Sequence, residues 1–272
     1  MINKANKRIL AVVVTYNPDI DLLRKNLDAF SEYVDQIILW RNSFLDISFP
    51  KVILEGDCTN QGIAKALNFA AEYAEKEGYD YLLTMDQDSV WNDFPGYLSL
   101  ALANNAPQGL YGPRLEDVSQ DDYVRTLNLI TSGMLIPIPL LKRIGGWRTD
   151  FFVDCLDVDL VLHAETLGIH SYKLGAGSLT HRLGNRRRVH NLFYTYDYSP
   201  ERLYFIFRNH IQLFREYGAT ARPLKRLFIK RWVFHRIPRI VLGEKNVWTK
   251  LKAIFKGVRD GLSNKNDKQI TK

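Results

Sequence analysis

Asp86 and Asp88 stand one residue apart, directly after the apolar run Tyr81-Leu82-Leu83-Thr84-Met85. Two carboxylates leaving a rigid strand offer oxygen ligands to a hard divalent cation, Mg²⁺ or Mn²⁺, and such an ion can neutralise a diphosphate. The bland alternative is a solvated turn with a capping aspartate. A second acidic group, Asp154, Asp157 and Asp159, sits among apolar residues in the segment 151–160. In a helix, 154 and 157 share a side while 159 points elsewhere. Apolar surroundings make a carboxylate a better proton acceptor, which suits a general base. Helix capping would account for at least one of the three. His181 alone reads as a structural histidine, but beside paired carboxylates it becomes a third metal ligand. Asn60-Gln61-Gly62 can present backbone N–H groups to an anion at a helix start.

The elements around these residues place them. Residues 9–14 form a continuous, β-branched apolar run ending in Thr15-Tyr16-Asn17-Pro18, which reads as a buried parallel strand. Helical spacing follows over 19–33, with Asp19 or Asp21 as N-cap. Strands are predicted at 36–40, stopped by Arg41-Asn42-Ser43, and at 52–54. A helix is predicted from about Ile63 to Lys76, closed by Gly78, and then the strand that runs into Asp86. This order specifies an open, mostly parallel sheet, whose ligands bind beyond the carboxyl ends of the strands. Thr15-Tyr16-Asn17, Arg41-Asn42-Ser43 and Asp86-Gln87-Asp88 must therefore converge. Further on, Trp91, Phe94, Tyr97 and Leu98 suggest a helix and 110–113 a short strand. Residues 131–139 read as one strand, a helix runs to about Thr166, and a strand at 170–174 ends in a Gly175-Ala176-Gly177 turn.

At 272 residues, 46% hydrophobic and 25% charged, the chain has the composition of a globular protein. Its two cysteines exclude a disulfide framework and a four-thiolate zinc site. No apolar leader precedes the first strand and no run reaches the ~18 residues of a membrane span, so the expected compartment is the reducing cytoplasm. The net charge of +7 hides a split. Residues 201–272 carry 18 Lys/Arg against 5 Asp/Glu, a net +13, which leaves −6 for the first 200. The expected division is a catalytic domain over 1–200 and a basic, aromatic helical extension over 201–272. Within that extension 201–217 form an aromatic helix, and 224–240 show no clean stripe and are interrupted by Pro238. The last helix gathers Val247, Trp248, Leu251, Ile254, Phe255, Val258 and Leu262 on one arc, flanked by Lys245, Lys250, Lys252, Lys256 and Arg259. Such a helix lies on anionic lipid or docks its apolar stripe onto the domain or a second subunit.

Five ordered segments carry a family resemblance: 11–17 (AVVVTYN), 60–68 (NQGIAKALN), 82–89 (LLTMDQDS), 131–133 (TSG) and Gly146-Trp147 with 152–160 (FVDCLDVDL). Together they resemble family 2 inverting glycosyltransferases of the GT-A fold, and among them bacterial rhamnosyltransferases that build surface polysaccharides. The resemblance implies an α/β, mostly parallel sheet flanked by helices, followed by the basic helical extension. It implies transfer of a sugar, foremost L-rhamnose from dTDP-L-rhamnose, to a lipid-linked glycan acceptor. Galactofuranose, glucose or an amino sugar stand as alternative donors. The donor-binding set is Thr15, Tyr16, Asn17, Arg41, Asn42, Asn60, Gly62, Lys65, Asp86 and Gln87. Mg²⁺ or Mn²⁺ would be held by Asp86, Asp88 and His181. The base is Asp157, which matches the family's second acid, or Asp154. The chain departs from the family at Arg41, where an acid commonly contacts the nucleotide, at Leu156, which replaces the first acid, and at His163, where arginine is frequent. The implied setting is the inner face of the cell membrane, reached through the C-terminal helices, with a homodimer left open.

Other classes fit less well. The chain has no Walker A lysine motif and no GxGxxG, which disfavours P-loop hydrolysis and dinucleotide redox chemistry. A nucleotidyltransferase would need a glycine-rich basic loop where Thr15-Tyr16-Asn17-Pro18 stands. A nucleic-acid-binding protein would draw on the tail alone, so no nucleic-acid partner is expected.

Overall fold

The structure is a computed structural model that describes residues 7–114, 121–151, 153–181, 187–189 and 192–263. The chain divides into two compact units, Met1–Thr149 with Leu156–Arg182, and Asp150–Cys155 with Leu183–Lys272.

The first unit opens with β1 (Ile9–Thr15), α1 (Ile20–Phe30), β2 (Gln36–Arg41), β3 (Val52–Glu55), α2 (Ile63–Lys76) and β4 (Tyr81–Asp86). It continues with β5 (Ser89–Trp91), α3 (Phe94–Ala101), β6 (Gly109–Arg114), β7 (Tyr123–Arg125), β8 (Met134–Pro137), α4 (Ile138–Ile144), α5 (Leu156–Thr166) and β9 (His170–His181). These strands form one nine-stranded sheet in the order β3-β2-β1-β4-β8-β6-β9-β5, with β7 paired to β9. Its first four strands are mutually parallel, and β8 runs antiparallel to β4 and β6. The apolar run of β1 is central, and Ile9 through Val13 are fully buried because the strand has neighbours on both edges and cover on both faces. Leu23, Leu27 and Phe30 line the buried face of α1. Asp19, rather than Asp21, caps that helix, its carboxylate accepting from Leu22 N at 3.1 Å.

Three expectations are corrected. The strand expected over 131–139 is only the four residues of β8. Thr131-Ser132-Gly133 forms a turn before it, and Pro139 lies in the first turn of α4, where its missing N–H costs nothing. The strand expected to end at 174 runs on to His181, because Gly175 N donates to Asp122 O at 2.7 Å and β5 pairs antiparallel with its far half. The glycine run forms an irregularity within β9, with Gly177 at φ +79° and the register against β6 shifted there. Trp91 belongs to β5, ahead of α3.

The second unit contains the hairpin β10 (Arg187–Val189) and β11 (Phe193–Thr195), then α6 (Pro200–Glu216), α7 (Arg222–Phe228), a π-helical stretch (Ile229–Arg236), α8 (Ile237–Gly243) and α9 (Val247–Ser263). Pro238 does not interrupt the helical path. The π-helical turns precede it, and it falls in the first turn of α8. Phe228 and Trp232 pack edge-on against Phe207 of α6, and the Arg236 guanidinium lies 3.9 Å over the Tyr196 ring. Helix α9 packs closely on α6 because Gly257 and Gly261 face it. A Cβ at Gly257 would come 2.5 Å from the Tyr204 carbonyl oxygen, and one at Gly261 2.7 Å from that of Arg208. Lys250 is buried and pairs with Asp197 and Glu244. Of the apolar arc read from α9, only Ile254 is buried; Trp248, Phe255 and Leu262 are exposed. No helix among the described residues is long and apolar enough to cross a membrane.

Candidate active site

Strand register brings the polar clusters together. Thr15 lies opposite Arg41, Val14 opposite both Trp40 and Asp86, and Trp40 opposite Glu55. The ends of β1, β2, β3 and β4 thus finish level, as a parallel sheet with short loops requires. Gln87 and Asp88 form the turn between β4 and β5.

Neutral side chains fix the backbone at this edge. The Gln87 carboxamide clamps the first loop, accepting from Tyr16 N at 2.7 Å and donating to Tyr16 O at 3.1 Å. Asp86 is held by its main chain. Its N–H donates to Ser132 Oγ at 3.1 Å, and its carbonyl accepts from Asn26 Nδ2 at 2.7 Å. The Thr131-Ser132-Gly133 turn is tied to β4 in the same way, Gly133 N donating to Thr84 O at 2.7 Å. A second clamp lies between Asn68 on α2 and Trp147, whose N–H and C=O both bond the Asn68 carboxamide, at 2.8 and 2.7 Å. Gln87 came out of the sequence as a donor-binding residue and here positions a loop. Asn26, Ser132 and Asn68 escaped it. The legible signal for Asn26 was a polar residue on the apolar face of α1, where it is fully buried.

The other residues expected to bind a donor fall into two groups. Thr15 is buried and donates to Trp40 O at 2.9 Å, and Asn42 is buried with contacts to Trp40 Nε1, Gln61 N and Gly62 O. The Arg41 guanidinium bonds the carbonyls of Glu55 and Gly56, at 3.4 and 3.0 Å. These three side chains tie β2 to the loops beside it. Tyr16, Asn17, Asn60 and Lys65 are exposed at or near the same edge, with Asn17 N donating to Ser43 Oγ at 2.7 Å. Gly62 begins α2 at φ +79°, a conformation glycine adopts without steric cost, and its N–H donates to Asn60 Oδ1. In the same loop the Thr59 hydroxyl and amide donate to Asp57, which lowers that carboxyl's pKa.

Asp157 lies in the first turn of α5, half-buried, its Oδ1 2.8 Å from Val158 N. Asp159, next on the helix, is buried and paired with Arg148 at 3.2 Å. Asp154 falls in the other compact unit. Both its oxygens are taken by Arg202 of α6, each at 3.1 Å. Asp154 and Cys155 both have positive φ, 60° and 71°, and α6 grips the segment around them. Asn209 Nδ2 donates to the carbonyls of Val153 and Asp154, Arg208 donates to Asp150 O, and Cys155 Sγ lies 3.0 Å from His210 Nδ1. Burial lowers the His210 pKa to about 4.

Among the described residues no three His, Cys, Asp or Glu side chains form a metal cluster. The backbone of His181 pairs with Ser89, the neighbour of Asp88, while its side chain lies outside the described part of the structure. Asp86 and Asp88 by themselves are a fitting donor set, since Mg²⁺ is commonly held by one or two carboxylates with substrate phosphates and water completing the octahedron.

No family model matches the chain. It is 25% identical to the dTDP-rhamnosyl transferase RfbF of Shigella flexneri, over 94% of its own length and 96% of the relative's. Among solved structures it resembles S. aureus TarS 1–349 in complex with UDP-GlcNAc, with TM-score 0.62 and 14% identity over 94% of this chain and 81% of that one. It also resembles GalNAc-T7 with UDP, GalNAc and Mn²⁺, with TM-score 0.58 and 9% identity, spanning 94% of this chain and just over half, 56%, of that one. The structural likenesses bear out the GT-A fold, a mostly parallel α/β sheet flanked by helices. The full-length relative, together with the ordered motifs, makes the chain an enzyme of the glycosyltransferase kind.

Proposed function

We propose that this glycosyltransferase moves L-rhamnose from dTDP-L-rhamnose, with inversion, to a hydroxyl of a lipid-linked glycan acceptor during cell-surface polysaccharide synthesis. The observation that carries the reading is the full-length likeness to a dTDP-rhamnosyl transferase. The carboxylates of Asp86 and Asp88 beside the loops after β1 and β2 support it. In this reading the loop from Thr15 to Asn17 receives the nucleoside. Asp86, Asp88 and His181 hold Mg²⁺ or Mn²⁺, which when bound neutralises charge on the diphosphate. Asp157 accepts the acceptor's proton as its oxygen attacks the anomeric carbon opposite the diphosphate, whose C–O bond breaks as the new one forms. Asp157 is preferred to Asp154 because the bidentate ion pair with Arg202 engages both oxygens of Asp154. The C-terminal helices hold the enzyme at the inner membrane face, where such an acceptor is presented.

A donor screen tests this directly. Purified protein is mixed with nucleotide sugars and Mg²⁺ or Mn²⁺, and its Tm and nucleoside diphosphate release are followed. dTDP-rhamnose is expected to raise Tm and release dTDP, with both effects lost in EDTA and in Asp88→Ala. A different winning sugar removes rhamnose from the proposal. No response to any donor with either metal sinks the enzymatic reading.

A further inference from the structure

We propose that the uncovered face of α9 is a docking surface for anionic lipid. This rests on the membrane setting given above and assigns it to particular side chains. Trp248, Leu251, Phe255, Val258 and Leu262 recur at three- and four-residue spacing, within an arc of about 80° at about 100° per residue. Helix α6 covers a different face, the one bearing Lys250, Ile254, Gly257, Asp260 and Gly261. The stripe stays in water, with Trp248 78%, Phe255 71% and Leu262 57% exposed. Beside it on the helix, within about 60°, runs a row of exposed cations, Arg259, Lys252 and Lys256, with Lys245 exposed in the bend before the helix.

An apolar stripe with a cationic row along its edge matches a lipid–water boundary. The stripe enters the acyl region, and the long Lys and Arg side chains reach the phosphates at headgroup level. The chain leading into α9 adds to this, because residues 217–243 hold seven Lys/Arg and no Asp or Glu. In that stretch Phe234 and Leu242 are exposed as well. Charge separates this occupant from a second copy of the chain. The only acid on α9, Asp260, is buried and bonded to Arg259 and Tyr204. A paired stripe would therefore set cations near cations with no exposed acid on the helix to meet them. A nucleic acid would engage the cations and leave the stripe in water.

The test uses the full chain and its Trp248→Ser/Phe255→Ser variant, co-sedimented with phosphatidylglycerol-containing and pure phosphatidylcholine vesicles. The wild type is expected to partition at least tenfold more strongly to the anionic vesicles, and less so as salt rises. The variant should lose at least tenfold in that partition while keeping its Tm and far-ultraviolet circular dichroism. Equal partition of variant and wild type overturns the proposal. So does a wild-type dimer in light scattering that the variant dissolves, without vesicle binding, which would make the stripe a self-association seam. A donor-dependent Tm shift recorded on the same samples separates the two ideas. Donor binding without vesicle binding removes the lipid surface alone. Vesicle binding without donor binding removes the rhamnosyl-transfer reading and leaves the surface standing.

Discussion

The sheet edge of the first unit and the helical second unit are held by different chemistry. At the sheet edge, Gln87, Asn26, Asn68 and Ser132 bond the backbone of the loops around Asp86 and Trp147, and none of the four carries a charge. In the second unit ion pairs and rings are prominent: Arg202 on Asp154, Lys250 between Asp197 and Glu244, His210 stacked on Phe228 at 4.3 Å. In the reading proposed above, the sheet edge receives a diphosphate and a cation, and mostly neutral fastening shapes its loops with little competing field, Arg41 on the Glu55 and Gly56 carbonyls being a charged exception. A region that supports and docks can use strong, local charge pairs.

The base assignment gives the hardest test of this contrast. Asp157→Asn should lower kcat by about 10² to 10⁴, with donor affinity by calorimetry almost unchanged. Near-normal turnover would return the base role to Asp154 and undo the division of labour between the two acids. Acid stability probes the second unit. His210 has its folded pKa lowered to about 4 against 6.5, so the unfolded chain takes up the proton first. Its contribution is complete above pH 6.5 and is lost as pH falls through 4, by up to about 3 kcal/mol. Urea titrations between pH 7 and 4 should show that loss reduced in His210→Gln; identical curves would place the acid sensitivity elsewhere.

Arg202→Ala asks whether the grip of α6 on residues 150–155 reaches Asp157 through the chain. A roughly tenfold fall in kcat with donor KM unchanged, partly recovered in Arg202→Lys, is expected if a bidentate anchor positions the base. An unaltered kcat would confine the ion pair to the second unit. The smallest effect belongs to the neutral clamp. Gln87→Ala removes two partly exposed hydrogen bonds, each worth about 1 kcal/mol. It should weaken donor binding several-fold with kcat at saturating donor intact. A loss of kcat larger than the loss of affinity would show that Gln87 serves the chemistry rather than the loop.

Much of the first unit was legible residue by residue. The continuous apolar run of β1, the amphipathic spacing of α1 and α2 and the polar stops after β1, β2 and β4 are local signals. They suffice to locate the carboxyl-end edge where Asp86 meets Thr15 and Arg41. Less visible were the contacts these polar residues make within the fold. Arg41, Asn42 and Gln87 are polar residues at the right edge, and only their partners show them tied to carbonyls and amides of neighbouring loops. The Gly175-Ala176-Gly177 run was legible as a departure from regular strand, with Gly177 at φ +79°, but not as one that pairing with β5 and β7 carries β9 across.

Periodicity and composition were enough to dictate the elements at the front of the sheet and its mostly parallel class, the convergence of its polar loop residues and the amphipathic, basic character of α9. Each follows from short-range spacing and from which side chains water tolerates. The tertiary structure decided which face of α9 is covered. Hydrophobicity would bury Trp248 and Phe255, yet the backbone of α6 comes so near that only a face with Gly257 and Gly261 fits against it. Close approach of two helices outweighed the larger apolar side chains, and that left the stripe facing water.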